Sequence, residues 1–416
     1  MTMKPQRILW TMPYLPWPIT SGGKARQYNL LKAMAQRGHE ITLLVQSKTP
    51  ADADVQAALA PWVKELIVLP RRSLRDPRTL WRAAFSPLPL LTTINGYAPA
   101  LTRQFAQLLQ RQQWDVVQIE HSYGLQPFEA VLRQRRQSFI LVEHNVESEL
   151  GAATYGKWPW WARPLARYDQ WRARRWEQHV MQRADLVVAV TESDARKLSA
   201  MTTRVPHVVS NGADIQGFAS VQPDGHSQRV LFVGNYEYAP NVDAVEWAME
   251  AVWPRIWQLQ PQARFVVCGH ALPDAWRQRW PDPRIEWRGY VDHLPTVQSQ
   301  SAVFLAPLRF GGGSKLKVLE ALAASLPVVS TTEGLSGLGV QAGEQALVAD
   351  NAEAMAQAVA SLLNEPERGA QMGRQAREYV TAHFDWQACA RQLEGAYMAL
   401  SSCAEPGQAM KGQACA

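Results

Sequence analysis

Gly311-Gly312-Gly313-Ser314-Lys315-Leu316-Lys317-Val318-Leu319-Glu320-Ala321-Leu322-Ala323-Ala324 is the stretch on which the fold turns. Before it, Ser301 to Leu308 (SAVFLAPL) reads as a short buried strand. After it, Leu316, Leu319, Ala323 and Leu326 keep helical spacing. Strand, glycine run and helix start, in that order, make an anion site. The first helical N–H groups lack partners, the macrodipole favours negative charge, and glycines admit close approach of a ligand to the backbone. Lys315 and Lys317 add cations beside those amides, and Glu320 lies one turn in. The combination suits a ligand bearing both phosphates and hydroxyls, such as a nucleotide sugar. The competing reading is a glycine turn before a core helix, with Lys317 and Glu320 as an ordinary i,i+3 pair.

Working outward, short apolar runs alternate with helical patterns on both sides. In the first half Arg7–Met12, Glu40–Gln46, Trp114–Ile119, Ser138–Glu143 and Asp185–Val190 read as strands, with a helix from about Lys24 to Arg37. A second series starts at Arg229–Gly234 and continues at 263–269, 284–289, 302–306, 327–330 and 346–348. Such alternation implies parallel sheets covered on both faces. At 416 residues the chain exceeds a single ordinary core. The expected division is a first domain at 1–210, a second at 211–385, a helix at 386–400 returning to the first, and a disordered tail at 401–416. In open parallel sheets ligands sit beyond the carboxyl ends of the strands, so two such domains would bind a ligand facing a cleft.

The formal charge of +6 favours acidic partners such as phosphate-rich ligands or anionic membrane. Four cysteines without metal spacing argue against a disulfide framework or a zinc site. Prolines 5, 13, 16 and 18 break the N-terminal apolar residues, so no secretory signal is expected. No run approaches the ~18 apolar residues of a membrane span. The expected location is cytoplasmic, at the inner face of the cytoplasmic membrane if the acceptor is lipid-borne. Residues 157–176 (KWPWWARPLARYDQWRARRW) hold five of the seventeen tryptophans and six basic residues against one Asp. Either this is a basic aromatic helix lying in a membrane interface, or its tryptophans pack on their own domain while the Arg heads snorkel. Aromatics interleaved with cations also suit base stacking, but no nucleic-acid module is present and nucleic acid is not an expected partner.

The order of Ser21-Gly22-Gly23, Glu143-His144-Asn145, Val209-Ser210-Asn211-Gly212, Leu231-Phe232-Val233-Gly234-Asn235, Arg288-Gly289-Tyr290 and Leu319-Glu320-Ala321-Leu322-Ala323 resembles the retaining, nucleotide-sugar-dependent family 4, group 1 glycosyltransferases. The resemblance extends to about Leu400 and implies an α/β GT-B fold of two doubly wound, Rossmann-like domains. It implies transfer of a hexosyl group from a nucleotide-diphosphate donor to a glycan or lipid-linked acceptor in polysaccharide or envelope glycan synthesis. It further implies no cofactor and no metal, with UDP and GDP donors both open. Carried over residue by residue, Gly22 and Gly23 close on the donor phosphates, His144 serves the donor sugar, and Glu320 holds the ribose hydroxyls. Asn235, Tyr290, Val291, Gly311, Gly312, Gly313, Ser314 and Leu316 complete the expected donor side, chiefly through backbone. Arg26, Glu120, His121, Glu143 and Asn145 are the expected acceptor side.

Two departures stand out. The first glutamate of the family's spaced pair falls at Gly312, and the usual basic pair is replaced by Asn235 and Asn241. The expectation is that Lys315 supplies the lost cation. A nucleotide-sugar epimerase of the same fold and a non-catalytic nucleotide-binding paralogue are the alternatives.

Overall fold

The structure is a computed structural model that describes residues 3–72, 76–149, 160–312 and 314–404. The chain forms two compact units. The first comprises Met1–Ile19, Gly23–Ser210 and Cys389 onward; the second comprises Thr20–Gly22 and Asn211–Ala388.

The first unit is built on seven parallel strands in the order β3-β2-β1-β4-β5-β6-β7. These are β1 (Arg7–Met12), β2 (Glu40–Ser47), β3 (Glu65–Pro70), β4 (Val116–Glu120), β5 (Ile140–Val142), β6 (Leu186–Ala189) and β7 (His207–Val208). The central runs are buried throughout because helices cover both faces, which is why they read as continuous apolar segments. Leu9, Phe105, Val117, Phe128, Leu141 and Val187 belong to one core cluster. Strand β3 was not expected: it is a half-buried edge strand, and the mixed run ELIVLP lies just beyond a helical pattern. Strand β7 falls in the stretch from Val205 to Gly225 that reads as linker, since two residues carry no periodicity. The last helix runs from Trp386 to Ala404, past the expected end at Leu400. It is pinned to the first unit by Glu394, which accepts from Arg37 at 2.7 Å and lies 3.1 Å from His39 Nε2.

The second unit has six parallel strands in the order β10-β9-β8-β11-β12-β13. They are β8 (Arg229–Val233), β9 (Arg264–Cys268), β10 (Ile285–Gly289), β11 (Val303–Ala306), β12 (Val328–Ser330) and β13 (Leu347–Val348). Phe232, Trp253, Phe265, Val303 and Met355 share its core, each large side chain contributing about 1.5–3 kcal/mol by leaving water. Both sheets are doubly wound, with the order reversing beside β1 in one and beside β8 in the other. The carboxyl ends of β1 and β4, and of β8 and β11, are therefore where ligand-binding loops gather.

Candidate active site

In the second unit the Gly-rich loop leaves β11 and enters the helix Leu316–Ala323. Gly311 has φ 143°, a conformation side chains other than glycine rarely adopt. Gly313 lies outside the described residues. The Ser314 hydroxyl is buried without a hydrogen-bond partner among the described residues, and the Ser314 carbonyl accepts from Asn211 Nδ2 at 3.3 Å. Gly22, the first residue of the helix Gly22–Gln36, lies close to Leu316: a Cβ there would stand 3.3 Å from Leu316 Cδ1.

The ammonium of Lys315 is not a free cation. It donates to the carbonyls of Gly311 at 3.0 Å and Gly312 at 3.4 Å, and it pairs with Glu333 at 3.0 Å. Lys315 thus closes its own loop. Lys317 has the character expected of Lys315. Its Nζ donates to Asn241 Oδ1 and lies 4.5 Å from the centre of the Phe232 ring. No carboxylate pairs with it among the described residues, and the i,i+3 pair with Glu320 does not form. Burial, with a smaller push from Lys315, lowers Lys317 to about 7. Burial raises Glu320 to about 7, with Asp214 adding to the rise and Lys317 opposing it.

Asn241 also donates to the Asn235 carbonyl at 2.7 Å, and Asn235 Nδ2 reaches the Thr20 carbonyl at 3.4 Å. The two asparagines that stand where Arg and Lys are expected therefore connect β8 to the ammonium of Lys317. Sequence reading missed this link. The Asn241–Lys317 pair spans 76 residues, and the one available signal was the missing base at 241 together with the extra one at 317. Tyr290 is 58 % exposed just after β10, an edge strand of this sheet, and Val291 follows it.

In the first unit the rim is built from the ends of β1, β4 and β5. His144 Nε2 lies 2.6 Å from Glu120 Oε2, and both side chains are buried. Glu120 Oε1 accepts from Trp10 Nε1 and Gln118 Nε2, each at 2.7 Å, while Gln118 Oε1 accepts from Tyr397 at 2.5 Å. These donors hold the Glu120 carboxyl below its usual range despite burial, with His144 the largest favourable contributor. Burial first, and the His121 charge second, bring His144 down to about 4. The imidazole is therefore neutral near pH 7. Because a carboxylate only accepts, its Nε2 carries the proton and Nδ1 is left as an acceptor. A Cβ at Gly23 would stand 3.6 Å from that Nδ1 and 2.9 Å from the Tyr14 hydroxyl, so glycine keeps this approach open.

Of the expected acceptor residues, Glu120, His121 and Glu143 gather at this rim, all three buried, Asn145 follows His144, and close enough to act on Glu120 and His144 lies the equally buried Arg26. Its guanidinium donates to the Ser210 carbonyl at 3.0 Å, so neither a solvated nor a freely reaching side chain describes it. Glu120 is likewise a support for His144 rather than an exposed group. Glu143 Oε1 accepts from the Ser122 N–H at 2.6 Å, inside the loop that follows β4.

Two parallel-sheet, doubly wound α/β units are those of the GT-B architecture. Residues 20–216 match the family described as Glycosyltransferase Family 4, and residues 227–365 match Glycosyl transferases group 1. Between them the matches take in most of the chain, which belongs to the group 1, family 4 glycosyltransferases. It is 23 % identical to the glycogen synthase of Mycobacterium tuberculosis over 412 residues, 94 % of each chain. Over 111 residues it is 36 % identical to that organism's GDP-mannose-dependent alpha-(1-6)-phosphatidylinositol monomannoside mannosyltransferase, 25 % of this chain and 29 % of the other. Among solved structures, sucrose-phosphate synthase from Thermosynechococcus elongatus superposes with a TM-score of 0.71 at 18 % identity, covering 96 % of this chain and 100 % of that one.

Proposed function

We propose that the protein transfers a sugar, with retention of configuration, from a nucleoside-diphosphate donor to a glycan or lipid-linked acceptor in envelope glycan synthesis. The observation that carries this reading is Lys317: an ammonium with no carboxylate partner among the described residues, beside the first amides of the helix Leu316–Ala323 and the asparagines that replace the family's basic pair. Displacing a nucleoside diphosphate builds negative charge on the leaving oxygens, and fixed donors aimed at that charge lower the barrier most. In this reading Lys317 replaces the lost cation, while Lys315 shapes the loop. The Ser314 hydroxyl and the amides of Ser314 and Leu316 take phosphate oxygens. Glu320 accepts from ribose hydroxyls, and Asn235, Tyr290 and Val291 border the nucleotide. Gly312, in place of the first glutamate, takes the donor through backbone. His144, neutral and held by Glu120, offers Nδ1 to a sugar hydroxyl, with Asn145 beside it.

The lipid acceptor named for the mycobacterial mannosyltransferase, a relative over a quarter of this chain, supports a lipid-borne acceptor here. So does the surface of the first unit. Trp160, Trp161, Leu165, Tyr168 and Trp171 are exposed near or on the helix Arg163–Arg183, as are Trp81 and Phe85 on the helix Pro77–Phe85. Arg172 joins the two helices by donating to the Ser86 carbonyl at 2.7 Å and to Asp169, so it is structural and not a membrane-facing charge. Trp176 is also buried, donating to the Ser122 carbonyl at 2.9 Å. Lys157 and Trp158 lie outside the described residues. Exposed aromatics with Arg163, Arg167, Arg174 and Arg175 fit an anionic bilayer interface at the cytoplasmic face. No described helix is long and apolar enough to cross a membrane.

Incubating the protein with UDP- and GDP-sugars, with and without lipid extract, tests the function. Nucleotide release from one donor class that rises with extract is expected. No release from any donor and no nucleotide binding by calorimetry would contradict it.

A further inference from the structure

A second cluster at the first unit's rim has no part in the donor chemistry proposed above. His121 follows β4, Glu143 follows β5, and Glu147 lies four residues further on. One ligand atom from each of the three falls within 4.8 Å of the other two. His121 Nδ1 is 3.1 Å from Glu147 Oε1, while its Nε2 is 3.2 Å from the Tyr14 hydroxyl. Without an ion, Nδ1–H donates to Glu147 and Nε2 accepts from the Tyr14 hydroxyl; an ion takes the place of that proton on Nδ1, and the phenol oxygen then accepts from Nε2–H.

The charge balance of the cluster is poor. Glu143 is 1 % exposed, and its Oε2 has no hydrogen-bond partner among the described residues. No lysine or arginine pairs with Glu143 or Glu147 among the described residues. A third carboxylate, Glu177, is spent on the backbone: it accepts from the N–H groups of Glu147 at 2.8 Å and Ser148 at 3.3 Å. Glu177 thereby fixes where Glu147 stands without neutralising it. Two carboxylates this close, one with an orphaned oxygen away from water, require a proton or a cation between them.

The geometry points to a divalent transition-metal site formed by His121 Nδ1 and the carboxylates of Glu143 and Glu147. One imidazole with two carboxylates suits Zn2+ or Mn2+ better than Mg2+, which favours all-oxygen ligands and retained water. Ligands at about 2.1 Å around a tetrahedral ion stand about 3.4 Å apart, so the three atoms need only side-chain rotation inward. The side chain of Glu147 is 20 % exposed, which gives an ion a route in and leaves coordination positions for water or an acceptor hydroxyl.

The test uses the full chain, stripped with EDTA, kept reduced, and equilibrated with Zn2+, Mn2+ or Mg2+ before the bound metal is counted by mass spectrometry. The expected result is one Zn2+ or Mn2+ per chain and a melting temperature raised by that ion, with no Mg2+ retained. Glu147→Gln, at a partly exposed position, is expected to fold as wild type and to lose both signals, as is Glu143→Gln. Metal-free wild type after loading, or equal metal in the Glu143→Gln/Glu147→Gln double variant, overturns the site. Neither readout involves a sugar donor, so failure here is separate from failure of the transferase reading.

Discussion

The two rims solve the burial of charge in opposite ways. In the first unit, Glu120 has a proton donor on every side: Trp10, Gln118 and His144 all point at it. The His144 imidazole is neutral and its orientation is set. In the second unit, Lys317 has an amide oxygen and an aromatic face but no carboxylate among the described residues. A satisfied network holds one group in place, whereas a buried ammonium with no direct carboxylate bond keeps the capacity to meet an anion. On the proposed reading the first rim positions and the second binds.

The sharpest break of that contrast is Lys317→Met. Removing one preorganised donor from a developing anion typically costs about 10²–10³ in turnover. Steady-state transfer kinetics are expected to show a loss of that size. Next comes His144→Asn. Loss of its hydrogen bond to a sugar hydroxyl lowers kcat/KM by about 2- to 10-fold, the range for bonds between neutral partners. The same variant has a second signature. His144 is depressed to about 4 in the folded chain against 6.5 ordinarily, so the native state binds fewer protons in that window. Stability is then fully present above 6.5 and lost as pH falls toward 4. Thermal melts across pH 4 to 7 are expected to show a flatter acid limb in the variant.

A smaller effect is pH dependence at the other rim. Lys317 is lowered to about 7, so its ammonium is present below that pH and lost above it. Nucleoside-diphosphate affinity measured from pH 6 to 8.5 is expected to fall above 7, by at most about tenfold per unit, and to lose this slope in Lys317→Met. The smallest effect belongs to Lys315→Ala. Its pair with Glu333 is worth about 1 kcal/mol, a drop of roughly 2 °C in melting temperature, with transfer changed little.

Much of the fold was legible because its strands are buried on both faces. RILWTM, EITLLVQ and RVLFVG are continuous apolar runs bounded by loops, and alternation with helices gives the parallel sheet. The exceptions are the edges: β3 is half-buried and β7 has two residues, so neither carries a full signal. His144 and Glu320 were legible as positions next to strand ends and helix starts. Their partners were not. Glu120 is 110 residues from Trp10, and Gln118 is 279 residues from Tyr397. No local pattern encodes such contacts. The proposal that moves the replacement cation from the expected Lys315 to Lys317 meets the same limit. Both lysines look equivalent in sequence, and the contacts that distinguish them, Glu333 with Lys315 and Asn241 with Lys317, lie 18 and 76 residues away.

Calorimetric binding of UDP and GDP to wild type, Lys315→Ala and Lys317→Met, side by side at pH 6.5, tests the central claim most directly. The expected result is a loss of about 10- to 100-fold for Lys317→Met and less than about threefold for Lys315→Ala. A large loss in Lys315→Ala with Lys317→Met unchanged would contradict it.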